Sequence, residues 1–197
     1  DSPSGWPYDK RPEVVYEAGS SGSIDNGYGQ WDLRLASPIT VTGGAISSVS
    51  ISSDATIQGS EIGYVNLSGG APTLTGNTIT DAAPLRATDL DGFDVSNFSG
   101  NVFSAVAPVV QIQGTLDGPR TLGVIDGQVG VYRLTNHLTV GASGVLTLSP
   151  GVTCSDSGYN DVFVDGRLEG TDASLALLYN YSEYPQHDYY NTDLLVR

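Results

Sequence analysis

A segment that returns after 24 residues constrains this chain more than any other feature. Leu74-Thr-Gly-Asn77-Thr-Ile79-Thr80 recurs as Phe98-Ser-Gly-Asn101-Val-Phe103-Ser104, and Ala83-Pro84-Leu85 recurs as Ala107-Pro108-Val109 at the same offset. Later, Leu138-Thr139-Val140-Gly141 returns at that interval as Val162-Phe163-Val164-Asp165-Gly166. A period of two dozen residues marks a repeat architecture, in which one supersecondary unit buries its apolar face only by stacking on the next.

The material inside each repeat is short and alternating. The pairs Ile39/Val41, Val49/Ile51, Val65/Leu67, Val110/Ile112, Leu146/Leu148 and Val162/Val164 follow the period of two that turns one strand face inward. Gly, Asn, Asp and Pro interrupt them every few residues and leave no room for a helix of ordinary length. The expected fold is all-β: a single-domain right-handed parallel β-helix with coils of about 24 residues. The expected division is an N-terminal arm or cap over 1–12, the β-helix over 13–174, and an aromatic cap or subunit-contact segment over 175–197. In such a stack Gly76 and Gly100 occupy a turn that favours glycine, and Asn77 and Asn101 form an amide ladder between coils.

Charge narrows the partners. The net charge is −14 over 197 residues, with Lys10 the single lysine. A surface with so few cations cannot displace the counterions of nucleic acid, so that class of partner is excluded. No 18-residue apolar run exists to span a membrane as a helix. One cysteine, Cys154, cannot form an internal disulfide, and its setting beside Val152 reads as a buried thiol. The absence of methionine and a start at Asp1 read as a mature secretory product, extracellular or on a cell surface.

Candidate chemistry is sparse. His137 and His187 are not spaced for metal ligation, and one thiol completes no zinc site. The cluster Asp89-Leu-Asp91-Gly-Phe-Asp94 sets Asp89, Asp91 and Asp94 around a tight turn, a geometry that hard cations such as Ca²⁺ favour. It lacks the length and the closing Glu of a complete calcium loop, and a solvated turn is the simpler account. No cofactor is otherwise implied. The pairs Thr40/Thr42, Thr73/Thr75 and Thr78/Thr80 raise an ice-binding face, but no row is expected to persist along the solenoid.

The run Leu138-Thr-Val140, Gly144-Val145-Leu146-Thr-Leu148-Ser-Pro150-Gly151-Val152 and Val164-Asp-Gly166-Arg-Leu168-Glu-Gly170-Thr171 resembles the coils of right-handed parallel β-helix repeat proteins of prokaryotic cell surfaces, adhesin-like and pectate-lyase-like solenoids among them. The resemblance covers roughly residues 65 to 171. It implies the fold and an extracellular setting, and says little of function because the same fold carries enzymes and structural proteins. The family's further coil is missing after Thr171, which implies a cap or a docking place there.

Aromatic residues gather at the two ends: Trp6 and Tyr8, then Tyr179, Tyr181, Tyr184, Tyr189 and Tyr190. Such side chains bury large areas with a polar handle and read as an intramolecular cap, a subunit interface or a sugar-binding platform, with Trp6 and Tyr8 on a tail, a cap over the first coil or an arm to a neighbour. The resulting expectation is an extracellular structural or adhesive protein, self-assembling head to tail into a filament or surface layer, with further copies of itself as partner. The alternative is a polysaccharide-active lyase or glycoside hydrolase, or a carbohydrate-binding module, which would make a polysaccharide the partner. The missing catalytic signature leans against an enzyme.

Overall fold

The structure is a computed structural model that describes residues 13–25, 31–156, 160–176 and 194–196. It is a parallel β-solenoid of about 7 turns, with 54% of residues in strands and 2% in helix. The long sheet passes through Glu13–Tyr16, Asp32–Leu35, Ala45–Ile51, Glu61–Leu67, Leu85–Ala87, Val109–Leu116, Val131–Val140, Thr153–Asp156 and Ser174–Ala176. A second sheet stacks Ser23–Asp25, Thr40–Thr42, Thr56–Gln58, Thr73–Thr75 and Phe98–Ser99. A third stacks Pro119–Leu122, Val145–Leu148 and Arg167–Gly170.

Alternation places the core. In the long sheet, Leu35, Ile51, Leu67, Ala87, Ile112 and Leu134 lie one above another, as do Leu33, Val49, Val65, Leu85, Val110, Tyr132 and Cys154. All of these side chains are buried. The second sheet adds Val41, Ile57, Leu74 and Phe98 from its own inward column. Each such aliphatic side chain contributes about 1.5–3 kcal/mol of hydrophobic stabilisation. All six alternating pairs singled out from the sequence point into this core. Phe93 and Phe98 meet at 5.6 Å, and Tyr132 meets Phe93 edge-on at 6.3 Å, filling the wider middle coils.

Coil length is not constant. Averaged along the chain a coil takes about 21 residues. The 24-residue interval holds between Asn77 and Asn101 and between His137 and Asp161, but the Ala-Pro repeat is out by one, since Leu85 pairs with Val110 and not with Val109. Nearer the N-terminus Ser48 sits on Asp32 only 16 residues away. The strands there stay in register because the shortening falls in the turns between sheets.

The chain also continues past Thr171, correcting the expected stop. Ser174–Ala176 pairs with Thr153–Ser155, and Leu194–Val196 pairs with Val162–Val164, so both extend the parallel ladder. The aromatic residues Trp6, Tyr8, Tyr179, Tyr181, Tyr184, Tyr189 and Tyr190, and His187, lie outside the described residues.

Candidate functional site

The three aspartates weighed as cation ligands each hold a turn. Asp89 Oδ1 accepts the Asp91 amide at 3.0 Å, within its own turn. Asp91 reaches the next coil, where it accepts the amides of Asp117 at 3.1 Å and Gly118 at 3.0 Å. Asp94 caps the short 3₁₀ turn Val95–Asn97 and accepts from the hydroxyl of Ser96 at 2.7 Å and its amide at 2.9 Å. The Ser96 hydroxyl, then its amide, holds the Asp94 carboxyl below the usual carboxylate range. Among the described residues no group of three His, Cys, Asp or Glu side chains is placed to hold a metal ion.

The repeated asparagines form the spine of the middle coils. Both are buried. Asn77 Oδ1 accepts the Ser60 amide, and Asn77 Nδ2 donates to the Ile57 carbonyl and to Asn101 Oδ1. Asn101 Nδ2 donates in turn to the Leu74 carbonyl and to Asp126 Oδ2. Gly76 and Gly100 precede them with φ of 63° and 66°, a left-handed conformation that suits glycine.

Sequence reasoning missed the foot of this ladder. Asp126, itself at φ 50°, accepts the amides of Gly100 and Asn101 with its two carboxylate oxygens. Gln128 continues the work, with Oε1 taking the Phe103 amide and Nε2 donating to the Asn101 carbonyl. The available signal was an Asp-Gly turn one coil beyond Asn101, with the order of the Gly-Asn pair reversed.

His137 lies on the surface of its strand. Its Nδ1 accepts the Asp161 amide at 2.9 Å. A nitrogen that accepts that proton cannot also donate to the Asp161 carboxylate 3.3 Å away, so we read the contact as an amide–imidazole hydrogen bond and not an ion pair. Cys154 is buried, and burial followed by the charge of Asp156 pushes its thiol up to about 12.

Three surface features remain. An open groove of about 400 Å³ is lined by Ser47, Glu61, Tyr64, Thr80 and Asp81, and its wall is brought close where the Ser47 carbonyl occupies the space a Cβ on Gly63 would need. Beside it, the Arg86 guanidinium stacks over the Tyr64 ring at 4.3 Å.

The second feature is a stack of threonines over three coils, which does not run the length of the solenoid. On the second sheet Ser23, Thr40, Thr56 and Thr73 form one outward row, and Asp25, Thr42, Gln58, Thr75 and Ser99 form another. The rows were hidden because these coils are shorter than 24 residues. Thr78 belongs to the other sheet, paired with Val102 and Glu61.

The third is a column on the long sheet that carries Arg34, Ser50, Asn66, Arg86, Gln111, Arg133 and Ser155 in successive coils. No family model, no curated protein and no solved structure matches this chain.

Proposed function

We propose that this chain is an extracellular structural or adhesive β-solenoid that joins copy to copy, end to end. The observation carrying this reading is the all-parallel long sheet, whose path begins at Glu13–Tyr16 and finishes at Ser174–Ala176. In a parallel stack, one end offers the backbone donors and acceptors that the opposite end of another copy requires. Such a contact is heterologous and propagates instead of closing. The absence of methionine, which removes an oxidation-prone side chain, suits a protein that works outside the cell. Negative-stain microscopy and light scattering over a concentration series test it. Ordered polymers that shorten when Val15→Pro removes an edge N–H are expected; a monomer at every concentration contradicts the reading.

The threonine rows favour a second reading, a face for ordered water. Hydroxyls repeat along the axis at the rung spacing of about 4.8 Å and along each strand at every second residue. Inhibition of ice recrystallisation that Thr56→Tyr abolishes would support it. Equal crystal growth with and without the protein would remove it.

A further inference from the structure

Among the described residues, the arginine column is the place where this acidic chain turns a cationic strip outward. Arg34, Arg86 and Arg133 point away from the core on a single column, separated by Ser50, Asn66 and Gln111 and followed by Ser155. The residues two positions further along the same strands or just past their ends are Ala36, Ser52, Ser68, Thr88, Gln113 and Thr135. Neither set contains a carboxylate, in a chain that has 22. Beyond the second set Asp54 and Asp89 sit in turns, taking the Ala71 and Asp91 amides, while Glu17 follows the first strand level with Ala36. On the other side, Asp32 accepts the Ser48 hydroxyl and pairs with Glu13 of the first strand, so two acids border Arg34 there. Glu61 begins its strand five residues before Asn66, roughly 16 Å away at the rise of a strand.

None of the three arginines makes an ion pair among the described residues, where Arg167 with Glu169 is a close contact between opposite charges. An unpaired guanidinium presents a planar fork suited to carboxylate or sulfate. Spacing then selects the polymer. At about 4.8 Å per rung, Arg34 and Arg86 stand about 14 Å apart and Arg86 and Arg133 about 10 Å apart. Duplex nucleic acid carries a charge every ~1.7 Å and would meet the rest of a −14 surface with far more repulsion than three arginines offset. A chain with acidic groups separated by neutral, hydroxyl-rich stretches matches both the arginines and the Ser, Asn and Gln side chains between them.

We propose that this strip binds an extended polysaccharide bearing sparse acidic groups, laid along the solenoid axis. The arginines take the anionic groups, the interleaved amides and hydroxyls take the sugar hydroxyls, and Tyr64 holds Arg86 in place by stacking. The inference rests on the adhesive reading and names what the protein adheres to.

Affinity electrophoresis of the full chain in gels containing hyaluronan (a carboxylate on alternate sugars only), sparsely sulfated dextran, neutral dextran or poly(dT) tests it. Retardation by hyaluronan or by sparsely sulfated dextran is expected, and the stronger of the two identifies carboxylate or sulfate as the preferred group. The triple variant Arg34→Gln/Arg86→Gln/Arg133→Gln should weaken that retardation at least tenfold, while Arg167→Gln leaves it unchanged. Because Arg86 packs on Tyr64, the double variant Arg34→Gln/Arg133→Gln serves as a second probe and should weaken it at least threefold. Matched circular dichroism and thermal midpoints establish that both variants fold. Equal retardation of wild type and triple variant, no retardation by either acidic polymer, or retention by poly(dT) as strong as by hyaluronan overturns the proposal. End-to-end assembly of the triple variant is read separately: polymers that persist without polysaccharide binding separate this site from the assembly reading.

Discussion

Asn101 Oδ1 lies 3.0 Å from Asn77 Nδ2 and 3.1 Å from the Asn77 backbone nitrogen, across 24 residues of chain. One oxygen therefore satisfies two donors of the coil beneath it, in a site closed to water. Buried donors and acceptors left without partners cost about 1–3 kcal/mol each, so this contact fixes the order in which coils stack as well as their stability. Asn101→Ala strands the Asn77 amide and the Leu74 carbonyl together. The expected loss is about 3 kcal/mol, read as a lower urea midpoint. Thr75→Ala, on the exposed row of the second sheet, should change stability by less than about 0.5 kcal/mol.

Asp126 closes that ladder from a backbone conformation that few side chains adopt. Asp126→Asn tolerates the positive φ but keeps one acceptor oxygen where the carboxylate had two, leaving the Gly100 and Asn101 amides to share it. The expected cost is about 1 kcal/mol. Asp126→Ala loses both acceptors and adds backbone strain, and should cost about twice as much. Equilibrium denaturation of the two variants side by side checks the ratio.

Tyr132 anchors the middle coils through its hydroxyl, which donates to the Gly123 carbonyl at 2.6 Å from a buried position. Tyr132→Phe keeps the ring packing against Phe93 and removes only that bond. A loss of about 1–2 kcal/mol is expected. A core truncation such as Ile57→Ala should cost more, about 3 kcal/mol, because it opens a cavity between stacked side chains.

Alkali should destabilise the fold. Burial pushes the Cys154 thiol from 9.0 up to about 12, and burial also drives the neighbouring Tyr132 phenol upward from 10.0. The native state keeps protons that the unfolded chain releases, so stability is full below pH 9 and falls as pH rises from there toward 12. With both groups titrating in the unfolded chain, each contributes a slope of about 1.4 kcal/mol per pH unit. Urea midpoints at pH 7, 9, 10 and 11 measure the decline, and Cys154→Ala should flatten it. Thiol reagents at neutral pH should label Cys154 only after unfolding.

The legible part of this molecule was its period and its inward face. Alternation at pairs such as Val49/Ile51 and Val65/Leu67 marks buried strands without reference to neighbours, and the doubled Gly-Asn at 76–77 and 100–101 exposes the stacking interval. What was hidden depends on register between coils of unequal length. The threonine rows join Thr40 to Thr56 across 16 residues and Thr56 to Thr73 across 17, so a search at 24 misses them. The arginine column is hidden for the same reason, since Arg34, Arg86 and Arg133 follow no fixed sequence interval and align only once strands pair. Asp126 escaped notice because it reaches back a coil with a side chain of a different type.

Every column described above depends on neighbouring coils lying in one parallel register, and paired cysteines measure that register directly. In a Cys154→Ala background, Thr40→Cys with Thr56→Cys places two thiols on adjacent rungs about 4.8 Å apart, inside the range a disulfide spans. Thr40→Cys with Thr73→Cys places them two rungs apart, about 10 Å, beyond that range. Mild oxidation of the native protein should close the first pair quickly and leave the second open. A second pair that closes as fast as the first, or a first pair that closes only after unfolding, contradicts the stacking.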